Sequence, residues 1–296
     1  MNEVRGARPL AIAGATLIDG LGGPALPNAT VVIEEGRFSR VGPAAATPIP
    51  DGVQTIDGRG RFLIPGLVDM HVHTQTPERE HLPLFLAAGV TTVLDLGGQF
   101  PDLLAYRGAI ERAEKLGPRL LFTGPMLEEG KAFAGFAHMS REIDAGQIEA
   151  EIDRLAEAGA DAVKLYITIR PETARRAAAR AHAHGLRVFM HQQATWGADA
   201  AEAGVDCLEH LMLFGELAPD ADRPAQPGAL TPFEYGGWLW RALTEADPHG
   251  PAVQRLYERM LAADTALDPT LVLFAARPAA IGDDAGDTAM DDPERT

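Results

Sequence analysis

The chain has 296 residues, 46% of them hydrophobic, and carries 26 Lys and Arg against 42 Asp and Glu, a net charge of −16. This length allows one α/β barrel or two domains. The acidic balance argues against nucleic acid and anionic membrane as partners, and no apolar run approaches the ~20 residues of a membrane span. No secretory signal is visible, and the single cysteine, Cys207, excludes an internal disulfide. We therefore expect a cytoplasmic protein acting on a small-molecule substrate, with a homo-oligomer left open.

The N-terminal part of the chain is typical of a small β domain. Between about residues 9 and 60, short β-like runs alternate with Gly- and Pro-containing turns such as Glu35-Gly36 and Asp51-Gly52. Turns of this kind predict antiparallel pairing of neighbouring strands. We assign residues 1–62 to this domain.

The next segment, Phe62 to Thr74, is an apolar run that predicts a buried strand ending in His71-Val72-His73. Residues two apart on a strand point to the same face, so both imidazoles project in one direction. Two neutral imidazoles that converge on one point are suitable ligands for a divalent transition metal. The spacing therefore predicts a metal site at this strand end.

From residue 63 onward the chain alternates between strand-like and helix-like segments, a pattern that indicates βα units and a parallel sheet. With the strand that carries His71, seven strands are predicted, one short of a closed (β/α)8 TIM barrel. We assign residues 63–280 to this incomplete barrel and 281–296 to an acidic tail. The predicted helices span 77–88, 101–116, 145–158, 171–184, 195–203 and 249–263, and the further strands span 90–95, 119–123, 162–167, 186–191, 205–210 and 267–273.

A second His-X-His pair, His182 and His184, lies in a helical context. The Ala- and Arg-rich stretch that contains it opens with Pro171 and closes with Gly185, which predicts a helix. Positions two apart on a helix diverge by ~200°, so these imidazoles cannot chelate one ion. We assign them no chemistry.

Polar residues at the carboxyl ends of parallel strands converge on one site. Besides His71 and His73, this rule selects Lys164, His191 and His210. A Lys inside an apolar strand loses its proton when it is buried without a partner, and the neutral amine can take up carbon dioxide to form an anionic carbamate that bridges two cations. The structural alternative is a Lys that extends to solvent or pairs with an acidic neighbour.

The motif Pro65-Gly-Leu-Val-Asp-Met-His-Val-His73 resembles that of the amidohydrolase superfamily, most closely its imidazolonepropionase-like and metal-dependent prolidase-like branch. The resemblance runs from about residue 10 to 275 and implies a (β/α)8 barrel beside a β-sandwich. Two upstream segments also carry it, Gly14 to Gly20 and Glu35 to Gly42.

The resemblance also implies a binuclear site holding two divalent cations, most simply Zn²⁺. Its two strand-one histidines, here His71 and His73, would bind one metal. The strand-four Lys, here Lys164, would be carboxylated by carbon dioxide and bridge. The strand-five and strand-six histidines, here His191 and His210, would bind the second metal.

The family also uses an Asp at the end of strand eight, and here the sequence departs from the pattern. Ile281-Gly-Asp-Asp-Ala-Gly286 imitates the expected turn and makes Asp283 and Asp284 catalytic candidates. The stretch from Phe274 to Ala280 is too short for a βα crossover. We expect the tail to form no regular eighth strand, neither Asp to reach His71 and His73, and the chain to be a C-terminally truncated amidohydrolase.

Other polar and aromatic residues are weaker candidates. Tyr166 lies two residues after Lys164 and could contact substrate, and His138 ends a segment, Lys131 to His138, that could form a loop over the site. Two Gln residues could hydrogen-bond near the metals, and two Trp residues are better explained by packing than by a specificity pocket. These are Gln192, Gln193, Trp238 and Trp240.

The functional prediction is a hydrolase that cleaves C–N bonds of amides, peptides or cyclic amides with a metal-bound hydroxide. Two alternatives stay open. The first is a catalytically impaired or dead protein that keeps the fold and only binds metal or assembles. The second is a mononuclear, deaminase-like or lactam-opening hydrolase in which Lys164 is structural.

Overall fold

The computed structural model describes residues 8–74, 81–132, 134–210, 245 and 247–272. The predictions that concern Trp238, Trp240, Asp283, Asp284 and the tail lie outside these residues. The chain divides into two compact units, residues 1–68 with 88–91 and residues 69–87 with 92–296. The domain boundaries expected at residues 62 and 280 stay predictions.

The first unit contains a mixed β-sheet. Its strands pair in the order β3-β2-β1-β4, and β5 also pairs with β1. The hairpin between β2 and β3 turns at Glu35 and Gly36, both with positive φ, as a tight hairpin requires. The expectation of a purely antiparallel unit was wrong, because β4 and β5 both run parallel to β1. The strands are β1 (Leu10–Leu17), β2 (Leu26–Glu34), β3 (Arg37–Pro43), β4 (Gln54–Asp57) and β5 (Phe62–Leu63).

The remaining strands form two sheets whose resolved pairings are parallel. The first has the order β6-β7-β8, and the second the order β10-β9-β11-β12-β13-β14. This is an α/β fold, and the described residues contain no closed barrel. The strands are β6 (Leu67–Val72), β7 (Val90–Asp95), β8 (Arg119–Phe122), β9 (Met126–Glu129), β10 (Ser140–Ile143), β11 (Ala162–Leu165), β12 (Arg187–Met190), β13 (Cys207–Glu209) and β14 (Ala266–Asp268).

The helices lie where the sequence predicts them, although the helix expected over 101–116 ends at Glu111. The helix predicted over 171–184 begins at Pro171 and buries one Ala-rich face, including Ala174, Ala177 and Ala181, at helical spacing. The described helices are α1 (Leu82–Ala87), α2 (Phe100–Glu111), α3 (Ile148–Glu157), α4 (Pro171–Ala183), α5 (Gly197–Glu202) and α6 (Pro251–Ala262). None of the helices in the described part of the chain is long and apolar enough to cross a membrane.

Two strands of the second unit, β9 and β10, were not predicted from the sequence. The single strand expected at 119–123 is followed, after a break at Thr123 to Pro125, by β9, which pairs with β11 and β10. Both β9 and β10 are short and carry charged residues, so they lack the apolar alternation that marks a strand. The backbone bond from Asp161 N to Phe122 O, 2.9 Å long, links the end of β8 to the start of β11.

The strand that carries the His-X-His motif is less buried than its sequence predicts. Leu67 and Val68 of β6 are 50% and 55% exposed, and Val72 is the buried member. Among the described residues β6 pairs with one neighbour, β7, so its apolar side chains have few partners on the other side. The prediction of a buried strand was therefore wrong.

The break between β8 and β9 depends on Gly124. Its φ is +78°, and an added Cβ would lie 2.7 Å from Cδ2 of Phe100. Gly124→Ala should therefore cost about 1–2 kcal/mol for the left-handed backbone and about 1–3 kcal/mol for overpacking. Gly130→Ala is the matched control, since Gly130 has φ +81° but nothing within 4 Å of the added Cβ. Urea unfolding of both variants checks this, and equal losses would contradict the packing argument.

Candidate metal centre

The five residues selected from the strand ends lie where parallel strands finish. His71 is in β6 and His73 directly follows it, Lys164 is inside β11, His191 follows β12 and His210 follows β13. All five line one cavity of about 520 Å³. The structure therefore brings together every residue proposed as a metal ligand.

The four imidazole rings form a continuous cluster. Ring centroids lie 5.3 Å apart for His71 and His73, 4.8 Å for His71 and His210, and 4.8 Å for His191 and His210. The ring of Tyr166 lies 4.9 Å from that of His191. Such spacings suit side chains that share one or two ions.

Lys164 is 1% exposed, and its Nζ has no hydrogen-bond partner among the described residues. Burial lowers the pKa of this amine, while the Glu209 carboxylate acts in the opposite direction. An unpartnered buried ammonium is costly, so burial favours the neutral amine. The alternative in which Lys164 extends to solvent or hydrogen-bonds an acidic neighbour does not describe this geometry.

The histidines are held in the neutral form that metals bind. Burial is the main cause that lowers the pKa of His71 and His210 to about 2 and that of His73 to about 4, and in each case Lys164 contributes next. The pKa of the fully buried His191 lies well below its ordinary value for the same reason, with His210 contributing next. At neutral pH the four rings therefore offer lone pairs.

Unpaired buried atoms test whether the residues fit a metal. The Nδ1 atoms of His73 and His191, Nζ of Lys164 and Oε1 of Glu209 are buried and lack hydrogen-bond partners within the described residues. Buried polar atoms without partners are rare in proteins. The nitrogen donors line one cavity, and the Glu209 carboxylate contacts His71 of the same cavity. Nitrogen and oxygen donors are the ligands a divalent cation takes, so the donor set fits the expected group.

Two carboxylates enter the site that were not predicted from the sequence. One carboxylate oxygen of Glu209, one of Asp268 and one ring nitrogen of His71 all lie within 4.8 Å of one another. They are paired residues on β13 and β14. Each of the two residues ends its strand, so the strand-end rule selects both in hindsight. Asp69 also lines the cavity and accepts the His71 N–H through Oδ1 at 3.1 Å.

The weaker candidates differ in whether they line the cavity. Tyr166 lines the cavity, together with Phe136 from the segment predicted to cover the site. His138 does not line the cavity, and its backbone oxygen accepts from Gln99 Nε2 at 2.7 Å. Gln192 is buried and donates to Met190 O at 2.7 Å.

The two histidines given no chemistry contact different surface groups. His182 Nε2 lies 2.8 Å from Asp206 Oδ2, and His184 Nε2 lies 2.6 Å from Asp153 Oδ1. The thiol of Cys207 is buried, as predicted, and burial raises its pKa to about 12. None of these residues belongs to the cavity lining.

Comparison with known proteins gives short sequence matches and a broad structural one. No family model matches the chain. It is 43% identical over 54 residues to adenine deaminase 3 of Rhizobium meliloti (strain 1021), covering 18% of this chain and 9% of that protein. It is 47% identical over 64 residues to imidazolonepropionase of Rhizobium rhizogenes, covering 21% and 14%. A crystal structure of an Xaa-Pro dipeptidase superposes with a TM-score of 0.64 at 20% identity, covering 93% of this chain and 70% of that one.

The fold is similar to that of solved amidohydrolase-fold proteins, and short segments are similar to curated members of the amidohydrolase superfamily. Together these likenesses support the amidohydrolase superfamily for this chain. Its matched segments span a small part of the two curated relatives.

Proposed function

We propose that this chain is a metal-dependent hydrolase of C–N bonds. The observation that carries the proposal is one cavity lined by four histidines and by the buried Lys164, whose Nζ has no hydrogen-bond partner among the described residues. Hydrolases that act on amide bonds are common among the named relatives, since imidazolonepropionase and an Xaa-Pro dipeptidase are both among them. Within the superfamily we place the chain in the imidazolonepropionase-like and prolidase-like branch.

The residues divide by role. His71 and His73 would hold one divalent cation, His191 and His210 a second, and a carbamate on Lys164 would join them. When bound, such cations supply Lewis acidity and lower the pKa of coordinated water toward ~7. The second candidate function, a one-metal hydrolase, differs in leaving Lys164 as a neutral amine.

Other cavity residues would receive the substrate. Burial raises the pKa of the Tyr166 phenol, which therefore stays protonated and can donate its O–H to a substrate oxygen. Met126 and Phe136 line the cavity beside it and exclude water. Asp268 brings a carboxylate to the same space and is positioned to hold a proton during cleavage. The family resemblance allows four substrate classes: dipeptides, N-acyl amino acids, cyclic amides and lactones.

Metal loading and turnover together test the proposal. The purified chain is freed of metal with a chelator, reloaded with Zn²⁺ and bicarbonate, and assayed against these four substrate classes. We expect near two equivalents of metal and hydrolysis that is lost with the chelator and restored by Zn²⁺. One equivalent would favour the one-metal hydrolase, and metal without turnover would favour the inactive protein.

A matched pair of variants controls this test. His191→Ala should lose metal because His191 lines the cavity, whereas His182→Ala should keep it because His182 contacts Asp206 on the surface. Failure of the unsubstituted chain to bind any metal would refute both the two-metal and one-metal functions.

A further inference from the structure

The strongest unassigned feature of the site is a contact between two buried side chains. Oε2 of Glu209 makes a short hydrogen bond with Nδ1 of His71. Glu209 is 0% exposed, and it is the last residue of β13. Glu209 is not one of the five proposed ligands, but its carboxylate contacts one of them, His71, directly.

The backbone explains how two consecutive residues, Glu209 and His210, both reach His71. Consecutive residues of a strand point to opposite faces, so Glu209 and His210 should diverge. His210 instead has φ +62°, an uncommon conformation for a residue other than glycine. Hydrogen bonds hold it there, from its N–H to Asp268 O at 2.7 Å and between its Nδ1 and Thr270 Oγ1 at 2.7 Å. As a result the Glu209 carboxylate and the His210 ring both lie against His71.

The chemistry of the pair then determines where the His71 proton lies. A neutral imidazole has one N–H and one lone pair, and an ionised carboxylate only accepts hydrogen bonds. Burial raises the pKa of the Glu209 carboxyl, while Lys164 acts in the opposite direction. In its ionised form Glu209 accepts a hydrogen bond from the Nδ1–H of His71, which leaves the lone pair on Nε2. His73 and His191 differ, because their buried Nδ1 atoms have no partner.

We propose that Glu209 is a positioning residue that holds His71 in the Nδ1–H tautomer, with Nε2 presented to a cation. This inference rests on the proposed function for the identity of its ligand. Carboxylates that orient histidine ligands in this way also raise their basicity. Glu209 thus acts on the metal through His71 rather than by coordination.

The competing arrangement is direct coordination by Glu209, together with His71 and Asp268. In that arrangement Nδ1 of His71 would carry no proton, whereas as a hydrogen-bond donor to Glu209 it carries one. The two arrangements therefore differ in whether Nδ1 of His71 carries the proton.

The test uses the full chain with Glu209→Leu and Glu209→Gln. Nitrogen NMR of metal-free, ¹⁵N-histidine-labelled protein reports the His71 tautomer, with the resonance assigned by its loss in His71→Ala. We expect Nδ1–H in the unsubstituted chain, retention in Glu209→Gln, whose amide oxygen can still accept, and loss in Glu209→Leu. Zinc affinity, measured by competition with a chelator, should fall about 10–100-fold in Glu209→Leu and less in Glu209→Gln.

Glu151→Gln provides the matched control, since Glu151 is buried but pairs with Arg141 and Arg154 outside the cavity. It should leave both readouts unchanged. An Nε2–H tautomer in the unsubstituted chain, or equal affinity losses in both Glu209 variants without a tautomer change, would overturn the positioning role. If Glu209→Leu does not fold, the unsubstituted chain and Glu209→Gln decide the tautomer. Because this readout needs no metal, it stays informative even if the proposed function fails.

Discussion

Lys164→Met is expected to abolish two-metal binding while making the metal-free protein more stable. Methionine replaces the amine with an apolar group of similar length, so the packing around β11 is kept. The buried Nζ that it removes has no hydrogen-bond partner within the described residues. Removing an unsatisfied buried polar group should stabilise the fold by about 1–3 kcal/mol. A metal ligand that destabilises the metal-free fold is an example of the trade-off between stability and function that is expected at a functional site.

The pH dependence of this gain has a definite sign. Burial lowers the pKa of Lys164 from its ordinary value of 10.5. Between the folded and unfolded pKa values the unfolded chain therefore binds more protons, and the free energy of unfolding rises with pH. The advantage of Lys164→Met should shrink as pH rises toward 10.5 and grow as pH falls toward the folded pKa. Urea unfolding of metal-free protein at several pH values measures it.

Bicarbonate separates carboxylation from a purely structural role. It should raise the metal occupancy of the unsubstituted chain, because a carbamate must form before it can coordinate, and should have no effect on Lys164→Met. The prediction fails if Lys164→Met keeps two equivalents of metal, or if it destabilises the metal-free protein.

Asp268→Asn is expected to lower kcat for amide hydrolysis by about 10²–10⁴-fold, the usual contribution of a positioned acid or base. Asp268 lines the cavity, and one of its carboxylate oxygens lies within 4.8 Å of a ring nitrogen of His71. Asparagine keeps the shape but cannot carry a proton. Substrates whose leaving group needs no proton, such as activated esters, should lose much less activity. Parallel measurement of kcat on both substrate types and of metal content checks this.

The tail provides the decisive comparison. Asp283→Asn and Asp284→Asn replace the two residues selected by the family turn, and both lie outside the described residues. We expect both variants to retain activity if Asp268 carries the proton. Robust turnover that is lost in either tail variant but kept in Asp268→Asn would show that the tail supplies the acid instead. Loss of metal from Asp268→Asn would identify Asp268 as a ligand.

Much of this architecture is accessible from local patterns. The strand predicted at 90–95 is β7 with the same bounds, and the helix at 171–184 is α4 to within one residue. Both segments have strong periodicity and clear end signals, so neighbouring residues alone determine them. The grouping of His71, His73, Lys164, His191 and His210 around one cavity follows from a rule of topology, that parallel strands bring their carboxyl ends together.

Burial of β6 and the existence of β9 and β10 could not be predicted in this way. An apolar strand is buried only if other elements cover it, and β6 has one paired neighbour among the described residues. Conversely, the charged strand β9 is kept extended by partners on both sides, β10 and β11. Pairing between segments distant in sequence decides both outcomes.

By itself, the sequence determined the alternation of strands and helices, the shared direction of His71 and His73, and the strand ends from which candidate ligands come, because each depends on backbone geometry over a few residues. Only the tertiary structure decided which further side chains, such as Glu209, contact these candidate ligands. Glu209 and His210 both lie against His71, since His210 adopts a left-handed conformation in place of the usual alternation. That conformation is held by Asp268 and Thr270 from the next strand and the residues after it. Side-chain partners separated by so many residues are set by packing, which no local pattern encodes.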